Sequence, residues 1–298
     1  MSAVSDTGSR GFGTPKPRNI KGEPALNEGK SLRARRLMSA SGRSLIVPMD
    51  HGISVGATTG LRDIAATVGQ VSDGGANGVV LHKGLVPTVQ KSLRPDTALI
   101  VHMSASTSLG DHINRKVAVC TVAEAVRLGA DAVSLHINAG TETEPEQIVD
   151  TAKIAEECNL WGVPLLAMVY VRSSPEDEFN PVKVGHAARM AAELGADLVK
   201  CHYTGDPDAF SEVVEGCPVP VLIAGGAAHG DIRKLFTTVA EALDAGAAGV
   251  SMGRNIFESP DATVLTRHLG KLVHQGWSAD RVYDAYQEHL ASRQLAAV

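Results

Sequence analysis

Short apolar runs rich in Val, Ile and Leu recur along the chain after residue 43. They cover 45–49, 78–82, 98–103, 132–137, 165–170, 198–203, 221–224 and 249–252. None alternates polar with apolar, as expected of parallel strands covered on both faces. Helical spacing fills stretches between them, as in 121–128, 146–161 and 184–194. Eight strands alternating with helices predict an α/β chain folded as a single (β/α)8 TIM barrel. An open doubly wound sheet shares the alternation, but no G-x-G-x-x-G follows the first run.

An internal repeat supports the barrel. Gly75-Ala76-Asn77, Gly129-Ala130-Asp131, Gly195-Ala196-Asp197 and Gly246-Ala247-Ala248 precede the second, fourth, sixth and eighth runs. Glycine there fits a helix C-cap with positive φ. The stretch 261–274 reads as the last barrel helix, and 279–295 as an extra amphipathic helix capping the barrel or a neighbouring subunit. Residues 1–30 read as a flexible N-terminal extension, leaving 31–298 as the barrel domain.

With 298 residues and 44% hydrophobic composition, the chain can bury a core without disulfide or metal staples. The net charge of -5 and the lack of a basic stripe argue against nucleic acid or anionic membranes as partners. Four scattered cysteines form no C-x-x-C pair, which suits a reduced cytoplasm rather than a zinc ribbon or a redox site. There is neither a signal-type apolar region nor a membrane-length apolar run.

A barrel places its chemistry at the C-terminal ends of its strands. Lys200 stands in an otherwise apolar strand, where desolvation favours the free amine that attacks carbonyls; snorkelling or pairing with a neighbouring acid is the plainer reading. Asp50 ends the first strand, either as a proton acceptor or as an orienting partner. Tyr170 ends the fifth, either as a proton donor or as a core tyrosine. Gly225-Gly226 and Gly253-Arg254 fall in the loops that form the usual barrel phosphate site. Lys83 competes as an anion contact or a loop charge. His82, His102 and His136 end three consecutive strands and leave open a zinc-dependent reading.

Val47-Pro48-Met49-Asp50-His51-Gly52, Val80-Leu81-His82-Lys83-Gly84 and Val199-Lys200-Cys201-His202-Tyr203 resemble motifs of the archaeal-type class I aldolases. So do Val221-Leu222-Ile223-Ala224-Gly225-Gly226 and Met252-Gly253-Arg254-Asn255. The resemblance implies Lys200 as Schiff-base lysine, Tyr170 as proton donor and Asp50 as proton acceptor. It implies sugar-phosphate contacts from His51, Gly52, Ile53, Ser54, Val171, Arg172, Gly225, Gly226, Gly253 and Arg254, with no metal or cofactor. The implied reaction joins a ketose-phosphate-derived donor to L-aspartate semialdehyde, giving an amino-deoxy-heptulosonate. Fructose-bisphosphate cleavage is the alternative, and a homo-oligomer is expected. Relatives often read Tyr-Pro-Arg-Gly after the fifth strand; here Tyr170-Val171-Arg172-Ser173 keeps the tyrosine and the arginine.

Overall fold

The computed structural model describes residues 28–226 and 230–296. Eight parallel strands close into one barrel: β1 Ser44–Pro48, β2 Gly78–His82, β3 Ala98–His102, β4 Ala132–Ala139, β5 Leu165–Val171, β6 Leu198–Cys201, β7 Val221–Ala224 and β8 Gly249–Ser251. Each strand pairs with its chain neighbours, and β1 pairs with β8 to close the ring. The expected TIM barrel is the observed fold.

Successive side chains of a strand point to opposite faces, so each strand feeds two layers. Ile46, Val80, Ile100, Ala132, Leu166, Leu198 and Leu222 fill the barrel interior as one buried cluster. The alternate residues pack outward against the helices in a second, larger cluster. Counting in twos from the interior cluster toward the strand ends gives Asp50, His82, His102, His136, Tyr170 and Lys200. The inward face thus carries its titratable side chains at the C-terminal end of the strands.

The opposite end is closed by the helix Glu28–Leu37, whose Leu37 joins the interior cluster. This helix begins inside the segment predicted as a flexible extension to residue 30. Lys30 is buried at 3% exposure, with its Nζ 2.8 Å from Asp197. Arg36 lies 2.8 Å from Asp131. The remainder of the predicted extension lies outside the described residues.

The glycine repeat has its expected role: Gly75, Gly129, Gly195 and Gly246 all hold positive φ after their helices. Its third position does more. The Leu45 N–H donates to Asn77 Oδ1 at 2.7 Å, Leu99 to Asp131 Oδ2 at 2.9 Å, and Leu165 to Asp197 Oδ2 at 2.8 Å. Each side chain thus ties the start of its own strand to the start of the preceding one. The extra helix, Ala279–Ala296, packs on Ile232–Asp244 and Ala262–Gln275, with Tyr286 edge-on to Phe236 and His268. One feature has no counterpart in the sequence pattern: an antiparallel hairpin pairing Ser104–Ala105 with Val117–Ala118, just beyond β3.

Candidate active site

The polar strand ends line a cavity of about 230 Å³ at the barrel mouth. Lys200 is 6% exposed, and its Nζ has Met168 Sδ, at 3.9 Å, as its hydrogen-bonding neighbour. A thioether is a weak acceptor, so the nitrogen stays available to a ligand. Asp50 lies between two imidazoles, Oδ1 3.7 Å from His51 Nδ1 and Oδ2 3.7 Å from His102 Nε2. Burial alone would raise its pKa. His102, His51, Lys200 and His82 outweigh that and hold the carboxyl well below the usual range, so it is ionised. Its Oδ1 is buried without a hydrogen-bond partner, as is Ser251 Oγ.

Burial lowers the pKa of the histidines around the cavity. Burial pushes His102 down to about 4, against the pull of Asp50, and its Nδ1 lies 2.8 Å from Ser134 Oγ. Burial also holds His136 well below its usual pKa, with Nε2 2.9 Å from Asn138 Oδ1. His202 is lowered to about 4 by burial, which Glu178 opposes. The Tyr170 ring sits between His136 and His202, with centroid distances of 4.9 and 4.7 Å. Arg172 lies over the same ring and pairs with Glu178 at 2.5 Å.

Across the mouth, Gly225, Gly226, Gly253 and Arg254 come together from the β7 and β8 loops. A Cβ on Gly225 would stand 2.3 Å from Asn255 Oδ1, and one on Gly253 2.4 Å from the Pro48 carbonyl. Backbone packing therefore demands glycine at Gly253, side chains crowd Gly225, and the result is bare backbone lining the cavity.

Asp50, His51, Ile53, Ser54, Tyr170, Arg172, Lys200, Gly225, Gly226, Gly253 and Arg254 all line the cavity, but Gly52 and Val171 do not. Val171 points outward into the helix-facing core, as the pleat requires of the residue after Tyr170. Gly52 instead opens the short helix Gly52–Val55. Lys83 pairs with Glu124 at 3.0 Å and stays outside the cavity. His82, His102 and His136 line it, and His82 meets His102 edge-on at 5.2 Å; but His102 Nδ1 and His136 Nε2 turn to Ser134 and Asn138, and no metal-holding group of three or more ligands occurs among the described residues. The sequence reading missed Lys116 and His202 as lining residues. His202 stood inside a quoted motif; Lys116 is delivered by the hairpin, whose two-residue strands are too short to show a period.

A family model for DeoC/LacD family aldolases matches residues 44–259. The chain is 44% identical over 246 residues to the 2-amino-3,7-dideoxy-D-threo-hept-6-ulosonate synthase of Halobacterium salinarum, covering 83% of this chain and 92% of the relative. It is 43% identical over 247 residues to the 2-amino-4,5-dihydroxy-6-oxo-7-(phosphonooxy)heptanoate synthase of Streptomyces griseus, covering 82% and 90%. Among solved structures, a Schiff-base-forming fructose-1,6-bisphosphate aldolase superposes with a TM-score of 0.76 at 33% identity, covering 82% of this chain and 100% of the other. The chain belongs to the DeoC/LacD aldolase family and is a class I aldolase.

Proposed function

We propose that the protein is a Schiff-base aldolase or transaldolase that joins a three-carbon unit from a ketose-phosphate donor to L-aspartate semialdehyde. The product is an amino-deoxy-heptulosonate of aromatic biosynthesis. Lys200 carries this reading: a buried amine with only a thioether beside it, at the floor of a cavity that also holds an ionised carboxylate. The products named for the two relatives supply the acceptor. Each has a ketone at carbon 6, so aldol disconnection falls between carbons 4 and 5. That leaves the same four-carbon aldehyde bearing a 2-amino group and a carboxylate. The two donor halves differ only in their three-carbon ketone.

In this mechanism the Lys200 amine adds to the donor's keto carbon, and loss of water gives an iminium ion. The bond between the α and β carbons then breaks, its electron pair flowing into the iminium to leave an enamine on Lys200; Asp50 accepts the β-hydroxyl proton, and the rest of the donor departs as an aldehyde. The enamine carbon attacks the acceptor aldehyde while the Tyr170 hydroxyl protonates the new alkoxide. Water then hydrolyses the second iminium, freeing product and Lys200. The backbone at Gly225, Gly226 and Gly253, with Arg254, holds the donor phosphate and orients the reacting carbon. His51, Ile53, Ser54 and Arg172 flank the bound chain, with Gly52 and Val171 as their neighbours along the backbone.

Borohydride reduction in the presence of dihydroxyacetone phosphate tests the reading. A reduced adduct on the Lys200 peptide is expected, followed by turnover with L-aspartate semialdehyde that EDTA does not diminish. Cleavage of fructose 1,6-bisphosphate without use of the semialdehyde would replace this reading with the fructose-bisphosphate one.

In this reading the catalytic unit is the barrel with the helix Glu28–Leu37 that closes its N-terminal end. The cysteines are free and buried, and no described helix is long and apolar enough to cross a membrane. Both features suit a cytoplasmic enzyme. Exposed Leu160 and Trp161 offer apolar surface for a homo-oligomer, which light scattering after size exclusion would measure.

A further inference from the structure

The cavity carries positive charge on two opposite walls. Arg254 stands with the β7 and β8 loops; Lys116 and Arg172 stand beyond β3 and β5. In a closed ring of eight, β3, which leads to Lys116, lies four strands from β7 and three from β8, while β5, which leads to Arg172, lies two from β7 and three from β8. Only the first wall is used by the donor phosphate in the mechanism above.

Lys116 is held over the mouth by a braced hairpin. The Ser108 N–H donates to the Ser54 carbonyl at 2.9 Å, tying the hairpin to the β1 loop. The Asn114 carbonyl accepts from Asn138 Nδ2 at 2.9 Å and from Gln147 Nε2 at 3.0 Å. The ammonium itself donates to Ser106 Oγ at 2.6 Å and makes no ion pair among the described residues. Arg172, which lines the same cavity, is paired with Glu178. Burial lowers the Lys116 pKa, with Asp50 opposing that shift and Arg172 adding to it. A half-buried ammonium bonded to a single hydroxyl keeps two donors in hand and has Asp50 as a counter-charge only at a distance, a condition that an incoming anion relieves.

We propose that Lys116 receives the anionic end of the acceptor aldehyde, opposite the wall that holds the donor phosphate. The proposal rests on the aldolase reading above and adds the acceptor's recognition. The carboxylate of an amino-acid semialdehyde and the phosphate of a triose phosphate present the same chemistry at that place.

Lys116→Met and Lys116→Arg test it, assayed with L-aspartate semialdehyde, glyceraldehyde 3-phosphate and neutral propionaldehyde as acceptors. Losing a charge-assisted bond lowers kcat/KM for the anionic acceptor about 10- to 100-fold relative to propionaldehyde, chiefly through KM. Lys116→Arg restores most of that ratio, and the borohydride-trapped donor adduct on Lys200 still forms in both variants. A selective loss with the semialdehyde assigns the site to a carboxylate; a selective loss with the triose phosphate assigns it to a phosphate. An equal loss with propionaldehyde, an unchanged ratio, or disappearance of the donor adduct overturns the proposal alone. A wild-type enzyme that traps no donor on Lys200 overturns the aldolase reading, and this proposal with it.

Discussion

At the N-terminal end of the barrel, Lys30 and Arg36 each meet a carboxylate at 2.8 Å. Those carboxylates, Asp197 and Asp131, also accept backbone N–H groups from the strand starts. At the C-terminal end, Lys200 meets a thioether at 3.9 Å, Lys116 a hydroxyl, and Asp50 Oδ1 has no hydrogen-bond partner. Both ends bury charge, which is costly unless the charge is paired. One end satisfies it within the chain and gains rigidity. The other leaves donors and acceptors for substrate and gives up stability to do so. The same ring of strands therefore separates holding the fold from doing the chemistry.

The sharpest way to break this contrast is to delete the lysine at each end. Lys200→Met removes the nucleophile, so aldol turnover falls at least ~10³-fold and the borohydride adduct disappears. Thermal stability holds or rises, because a buried polar side chain with no hydrogen-bonded acid leaves the core. A large drop in Tm would show that Lys200 is a structural group. Asp197→Ala does the opposite. It strips buried Lys30 of its carboxylate and the Leu165 N–H of its acceptor, costing about 3 kcal/mol in denaturant unfolding. The protein that remains folded keeps its KM and kcat.

Titration sharpens the comparison further. His102 and His202 fall from 6.5 to about 4 on folding, with burial as the main cause. Between those values the unfolded chain binds protons that the folded one refuses, so stability rises with pH across that window and is lost as pH falls from 6.5 toward 4. Melts at stepped pH should show this acid-side decline, and His202→Asn should flatten part of it. A Tm independent of pH there would mean that these rings protonate without cost.

The barrel was legible because eight unalternated apolar runs and a glycine repeat both report backbone geometry, which is local. Lys200 was legible because an ammonium is expensive in such a run. The misses are non-local. Lys30 sits among Ser, Gly and Pro-rich sequence, and its partner Asp197 is 167 residues away. Val171 belongs to a motif quoted as a continuous stretch, but the pleat sends it to the helix side while Tyr170 and Arg172 reach the cavity. Lys116 rides on a hairpin that spans too few residues for any period to register.

The smallest effect belongs to the second strand-end lysine. Lys83 follows His82 by one residue, and because His82 faces inward, the pleat and the turn after it carry Lys83 out toward Glu124. A half-exposed pair of this kind, open to water and salt, adds little to stability. Lys83→Met is therefore expected to leave Tm, the Lys200 adduct and turnover within experimental scatter of wild type. This makes it the control for Lys200→Met: two lysines at neighbouring positions of equivalent strands, separated in role by one step of the pleat. Loss of the trapped adduct in Lys83→Met would move the nucleophile to β2 and make the cavity lysine the bystander.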